Sequence, residues 1–395
     1  MARRGGGRLR SRVVEPVSGA GAVHVADVVV VGCGAAGSAA AWHCARRGLR
    51  VVALDRFEPG HRRGSSHGTE RIVRLGHTDE AYLRFALDAL AGWDELEQVG
   101  RVPLLSRTGS LDVGFQDELD EIEAACRGAG VAVERWSEAE VRRRHPGVAF
   151  TGEVLRYEAG GTVHADRSLS VLRRLAAASG AELRMCTGVD AIEQHDAGDG
   201  VTVVAGGERW RAGTAIVTTG AWAPVTLAGV LDLPGHRVTK EQLAFFRPRD
   251  GRAGHEFPTF IVRAFPRHYG MVTPEGLVKV AEHHTGPEVD PDTRGFELEP
   301  VTWARLCEWV AEFLPGVDPE PVDSSTCLYA STPDEDFVLD RIGDVVVGAG
   351  LSGHGFKFVP EIGRRLADLA DGTGWAGNPF AVVRTPRSVG SSGHK

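Results

Sequence analysis

The sequence predicts an α/β (α+β) fold, with a parallel sheet of Rossmann type interrupted by insertions that build a second domain on an antiparallel sheet. Three observations predict it. Residues 27–37 read as an apolar strand running into a Gly32-x-Gly34-x-x-Gly37 turn and a helix of small residues. Residues 344–357, near the other end of the chain, repeat the pattern of strand and glycine-rich turn through Gly348, Gly350, Gly353 and Gly355. Between them, residues 237–282 break into short runs of alternating apolar and polar residues, the pattern of antiparallel strands.

The first unit comprises a strand over 28–31, the turn, a helix over 38–47 and a second apolar strand over 49–54. In such a unit the backbone N–H groups at the helix start meet a pyrophosphate. Asp55 closes it, about 20 residues past the turn, where a carboxylate accepts ribose hydroxyls and repels a 2′-phosphate. NADP is therefore disfavoured, while NAD and FAD both remain. The second glycine turn decides between them. A nicotinamide fold has no use for it, whereas the flavin of an extended FAD lies far from the adenosine. A helix start at Gly353–Phe356 places N–H donors and positive dipole at the ring that becomes anionic on reduction. The domain is thus expected to bind FAD.

The remaining elements follow in order. A polar loop covers 59–68, and a helix over 79–97 has its apolar positions at helical spacing. A strand at 108–114 and a helix at 116–127 precede a short helix at 137–144, capped by Ser137 with Glu140 three residues on. A hairpin about Gly206-Gly207 joins 201–204 to 209–211, and a separate buried strand spans 214–219. Strands at 238–246, 259–263, 268–272 and 276–282 lead to a helix at 301–313, and a helix at 356–369 follows the last parallel-type strand. The expected organisation is a leader over 1–26 and a discontinuous FAD-binding domain over 27–103, 159–231 and 331–384. A substrate domain takes 104–158 and 232–330, and 385–395 form a tail. Leader and tail are both expected to be disordered.

Composition narrows the partners. The 395 residues carry a net charge of −8, opposed only by the Arg-rich leader (Arg3, Arg4, Arg8, Arg10, Arg12), so a nucleic-acid role is not expected. Arg3-Arg4 is followed by no apolar signal core, and no run of roughly 18 apolar residues exists, so neither export nor a membrane is expected. The six cysteines are scattered without a C-x-x-C pair, which points to reduced thiols, a cytoplasmic location and no metal.

Residues 64–74 hold His67, Arg71 and Arg74 just after the cofactor unit. If that piece is helical, Arg71 and Arg74 share a face, and paired guanidinium groups suit a substrate carboxylate. A solvated arginine face is the alternative.

These pieces resemble the monomeric sarcosine oxidase and N-methyltryptophan oxidase family of covalent flavoproteins, from about Asp27 to Gly372. The resemblance rests on the first glycine turn with Asp55, on Gly64-Ser65-Ser66-His67-Gly68 with Arg71-Ile-Val-Arg74, and on Gly220-Ala-Trp222. It rests also on Val278-Lys279, on Cys327-Leu-Tyr329 with Asp334-Glu-Asp-Phe337, and on Gly353-His-Gly355-Phe-Lys357-Phe. It implies a thioether from Cys327 to the flavin 8-methyl carbon, with cations such as Arg71 favouring the thiolate. It places Arg74 and Lys357 on the substrate carboxylate and Tyr269, His283 and Tyr329 around the amine. His67 and Arg71 fall beside the flavin ring, Ser65, Gly353 and Gly355 among the cofactor contacts, and Lys279 at the position that promotes reaction with oxygen.

The implied activity is a monomeric oxidase of secondary amino acids that yields an imine and hydrogen peroxide. A dehydrogenase serving a partner instead of oxygen would share the fold, and Lys279 argues against it; a non-catalytic flavin-holding subunit would have no need of Arg74, Lys357 and Tyr269 together. Two departures bear on the substrate. Glu282-His283-His284-Thr285 replaces Tyr-His-Thr-Phe, and Ile261 replaces a methionine, so a pocket shaped for something other than sarcosine is expected.

Overall fold

The structure, a computed structural model, describes residues 23–196, 198–233, 235–249 and 257–382. Most of the expected leader and tail lies outside the described residues. Residues 23–26, however, extend the first strand: β1 (Val23–Val31) pairs Val23 with Arg209 and Ala26 with Ala212. The polar residues His24 and Asp27 hid this half of the strand from an apolar-run reading.

The first sheet has a parallel centre. β1 lies between β2 (Val51–Leu54) and Glu208–Val217, with Glu182–Arg184 beyond β2 and Val345–Ala349 beyond Glu208–Val217. Val28 and Val30 pack into one apolar cluster, Val29 and Val31 into another, so both faces are covered. That is why the strand reads as an unbroken valine run rather than an alternation. The hairpin about Gly206-Gly207 forms as expected, but its second arm and the separate strand at 214–219 are one element, Glu208–Val217. Its first half pairs with Val201–Ala205 and its second half with Val345–Ala349.

Helix α1 (Ala35–Ala45) is buried along its whole length, and all but Trp42 and His43 of its residues are small. It crosses helix Val359–Ala370 so closely that a Cβ on Gly363 would lie 2.4 Å from the Ala39 Cβ. Helix α2 (Glu80–Gly100) starts at Asp79, whose carboxylate accepts from the N–H groups of Ala81 and Tyr82 at 2.8 and 3.1 Å. Its apolar face turns inward, and the buried Trp93 indole donates to the Lys357 carbonyl at 2.8 Å. A helix cap and an amphipathic period thus fix the backbone of one predicted site residue.

The second sheet runs in the order Val317–Ser331, Arg237–Pro248, Val278–His283, Arg267–Val272, Thr259–Val262, Ser110–Val113, Val154–Tyr157, Glu134–Trp136. It was expected to be antiparallel. One pair among the described strands departs from this: Thr259–Val262 runs parallel to Ser110–Val113 and so joins the two insertions. Side-chain alternation is the same for either direction, which is why the pattern could not tell them apart.

A third, small sheet pairs β3 (Glu70–Val73) with Gly161–His164, which also pairs with Leu105–Ser106. The conditional helix at 71–74 is therefore a strand through Val73, with Arg74 just past its end. Two β-branched residues lie between the arginines, and ladder bonds to Gly161–His164 reinforce the extended form. Among the described residues, no helix is long and apolar enough to cross a membrane.

Candidate active site

A cavity of ≈ 1490 Å³ runs between the first two sheets, bordered by Gly32 and Asp55, by Cys327 and Lys279, and by Arg74 and Lys357. A pocket for one small molecule spans about 300–1,000 Å³, so this one has room for a dinucleotide and a substrate together.

At the first glycine turn the backbone itself forms the wall. Gly32 has φ +91°, and a Cβ there would sit 2.7 Å from the Thr218 carbonyl oxygen. Gly34 borders the cavity, whereas Gly37 does not: its Cα faces Gly32, where a Cβ would come within 1.9 Å of the carbonyl oxygen. Gly37 thus serves helix-to-turn packing. Asp55 accepts the Cys33 N–H on one oxygen at 2.8 Å and the Phe57 N–H on the other at 2.9 Å. Each oxygen keeps acceptor capacity, and Asp55 borders the cavity, as a partner for ribose hydroxyls requires. Arg173, which sequence reasoning missed, also borders this end and donates to the Cys33 carbonyl at 2.7 Å.

The second glycine turn closes the other side. Gly353 has φ +74°, and a Cβ there would fall 2.3 Å from the Tyr329 ring. Ser65 donates to the Leu328 carbonyl at 2.5 Å, tying the 64–68 loop to the strand that carries Cys327. Arg71 is held by backbone carbonyls, donating to Glu70 at 2.8 Å, to Ser65 at 3.0 Å and to His67, while its guanidinium lies 5.5 Å from the Phe356 ring centroid. It does not pair with Arg74, because the segment is a strand. His67 beside it is pushed down to about 3 by burial and then by Arg71, so it is neutral at pH 7.

Cys327 is buried, and burial pushes its thiol up in spite of Arg71 and Lys279. The expected thiolate is therefore not the resting form; desolvation outweighs the nearby cations. Lys279, also buried, donates to the Glu70 carbonyl at 3.1 Å. Burial first, and Arg71 second, lower it to about 7. The Glu70 side chain is only 2% exposed, and burial raises it.

Around the substrate space, His283 Nδ1 lies 3.0 Å from the Tyr329 hydroxyl, and the Tyr269 ring meets His283 edge-on at 6.2 Å. Tyr329 also hydrogen-bonds Tyr269. Burial, aided by His284 and Arg267, holds His283 well below the usual imidazole range. The flanking departures behave differently. Glu282 turns to the opposite face of its strand, where it accepts from Arg305 at 2.7 Å, and so does not shape the cavity. Ile261 does border it.

The cationic end is the most unusual part. Lys357 is 6% exposed and donates to the His354 carbonyl at 2.9 Å; burial, then Arg74, drive it well below the ordinary lysine range. Arg74 donates to the Gly76 carbonyl and is lowered to about 10 by burial and then by Arg263. Sequence reasoning missed Arg263, a lone charge ending an apolar strand. It donates to Glu118 at 2.7 Å, to Asp112 at 3.3 Å and to Gly76 at 2.8 Å. Three basic groups, Lys357, Arg74 and Arg263, thus face two carboxylates, and a bound anion would offset what burial and Arg74 cost the charged form of Lys357.

Backbone made for a dinucleotide, continuous with a partly desolvated cationic pocket, defines an oxidoreductase that binds an extended cofactor beside an anionic substrate. The chain belongs to the FAD dependent oxidoreductase (DAO) family, which it matches over residues 27–369. It is 35% identical over 377 residues to a probable sarcosine oxidase of Arabidopsis thaliana, across 87% of this chain and 88% of that one. Against a monomeric sarcosine oxidase of Streptomyces avermitilis it is 32% identical over 387 residues, covering 93% and 98%. Among solved structures it is similar to NikD, described as an unusual amino acid oxidase essential for nikkomycin biosynthesis, with TM-score 0.79 and 30% identity over 89% of this chain and 95% of that one.

The residues present fit FAD. Two turns where a Cβ would collide, Gly32 and Gly353, border one cavity long enough to join them.

Proposed function

We propose that this protein oxidises a secondary amino acid, N-alkyl or cyclic, at its C–N bond, giving an imine that water hydrolyses. FAD, when bound, supplies the two-electron acceptor for the C–H next to nitrogen and passes the electrons to oxygen as hydrogen peroxide. Arg74 and Lys357 bind the carboxylate, which orients the reacting carbon. The observation that carries this reading is the Lys357–Arg74 pair: a buried lysine held far below its ordinary pKa by burial and by a second cation in the same cavity.

Tyr269, Tyr329 and His283 hold the amine. In the tautomer of His283 that donates from Nδ1 to the Tyr329 oxygen, Nε2 is left as an acceptor for the substrate N–H. Lys279 provides a cation where oxygen is reduced, His67 and Arg71 frame the ring, and Ser65, Gly353 and Gly355 complete the cofactor wall. Cys327 is the point of covalent attachment, supported by its place on the cavity wall between Arg71 and Lys279. The enzyme works in the cytoplasm, in keeping with its scattered, unpaired cysteines, and as a monomer, as the resemblance to the monomeric sarcosine oxidases implies.

Anaerobic mixing with N-methyl and cyclic amino acids, followed by air, tests the function: the flavin should bleach, then regain its colour with release of peroxide. Bleaching without recovery in air would favour a dehydrogenase, and no bleaching with any secondary amino acid would reject the reading. For Cys327, acid-precipitated protein should stay yellow and the Cys327→Ser variant should release its flavin. Retention by the variant would rule out this attachment point.

A further inference from the structure

Phe115 and Phe265 stand 68% and 80% exposed, yet both border the cavity. Their position follows from the parallel pairing in the second sheet. Ser110–Val113 and Thr259–Val262 run in one direction with Val113 opposite Val262, and the Arg263 N–H donates to the Val113 carbonyl at 2.8 Å. Both strands therefore leave the sheet at the same end, and each reaches its phenylalanine within three residues. An antiparallel pair would have sent the two rings to opposite ends.

The same strands build what lies next to the rings. Asp112, on one strand, and Arg263, just past the other, form the ion pair that continues to Glu118 and meets Arg74 at the Gly76 carbonyl. Ile261, opposite Asp112 in the same pair of strands, adds apolar wall to the cavity. An apolar rim is thus joined rigidly to the cations that take the carboxylate. Exposed aromatic residues beside a binding cavity are informative in a way that scattered surface apolar residues are not.

We propose that Phe115 and Phe265 are specificity-determining residues that receive an apolar group of the substrate. The preferred substrate is then an amino acid carrying an aromatic or similarly bulky substituent, rather than sarcosine. This deepens the oxidase reading and rests on it. A sarcosine-sized substrate would leave both rings in water, whereas each aromatic contact improves binding roughly three- to tenfold.

Carboxylates without an amine separate the two claims, because they occupy the site without reacting. The flavin absorbance of the holoenzyme is titrated with acetate, phenylacetate and 3-phenylpropionate. The better phenyl ligand should bind about tenfold or more tightly than acetate. In the Phe115→Ser/Phe265→Ser double variant, checked for unchanged flavin content, that ratio should fall about tenfold, and the Leu/Leu variant should recover part of it. A ratio near one in the unaltered enzyme, or the same ratio in the Ser/Ser variant, overturns the proposal. If no secondary amino acid, N-methyl or cyclic, with or without an aromatic group, bleaches the flavin while the ligand ratio behaves as described, the oxidase reading has failed and the apolar rim stands.

Discussion

The two ends of the cavity are made of different material. Around Gly32 the wall at the turn is backbone, and its shape depends on the absence of side chains there: a Cβ at Gly32 or Gly37 would strike a carbonyl oxygen. Around Lys357 the wall is side chain, and its character lies in charges held away from water, with Lys357 and His283 pushed far from their ordinary ionisation. The first end is complete before any ligand arrives. The second is left wanting an anion and a hydrogen-bonding amine, which is how a site favours a reacting molecule over water.

If the contrast is right, the largest effect comes from adding an atom to the backbone end. Gly37→Ala places a methyl 1.9 Å from the Gly32 oxygen and 2.5 Å from Thr218 Oγ1. It should yield colourless protein, with loss of flavin and a stability cost of about 1–3 kcal/mol or more from overpacking. Absorbance of the purified variant and a melting curve check both, and a fully yellow variant would break the argument for that turn.

At the cationic end, Lys357→Met or Arg74→Met should leave flavin content intact and cut kcat/KM for the amino acid by roughly 30-fold to several thousand-fold, the cost of stranding a buried charge. The decarboxylated amine should lose far less; equal losses on both substrates would remove the carboxylate role.

Lys279→Met should slow reoxidation by oxygen about 10²–10³-fold, as expected for loss of one group that stabilises a developing anion. Anaerobic reduction should change much less. Stopped-flow measurement of the two half-reactions distinguishes this from a strand lysine of no special role.

The smallest effect concerns pH. Lys279 is lowered to about 7, so its cation is fully present below that pH and is lost as pH rises through it. Nearby negative charge on the reduced cofactor moves that midpoint upward. Reoxidation should accordingly slow by up to about tenfold per pH unit above the midpoint, and the dependence should vanish in Lys279→Met.

Legibility followed the same divide. Gly32, Gly353 and the apolar strands could be read directly, because each expresses a local rule of backbone conformation or periodicity. The Arg71–Arg74 segment was misread as a possible helix because spacing three apart is meaningful only once a helix is assumed; as a strand it turns Arg71 to backbone carbonyls. Arg263 and Arg173 escaped notice because an arginine at a strand end or on a helix carries no local sign of the carbonyl it will meet. Glu282 looked like a pocket departure only because it neighbours His283; alternation along the strand sends it to the other face.

By itself, the sequence determined where strands, glycine turns and helix starts fall, since these depend on residues a few positions apart. Tertiary structure alone decided which end of Thr259–Val262 meets Phe115, that Arg263 joins Arg74 beside Lys357, and which way burial shifts Cys327, Lys279 and His283. Those depend on burial and on fields from segments distant in the chain, and water removal by the whole fold sets their strength.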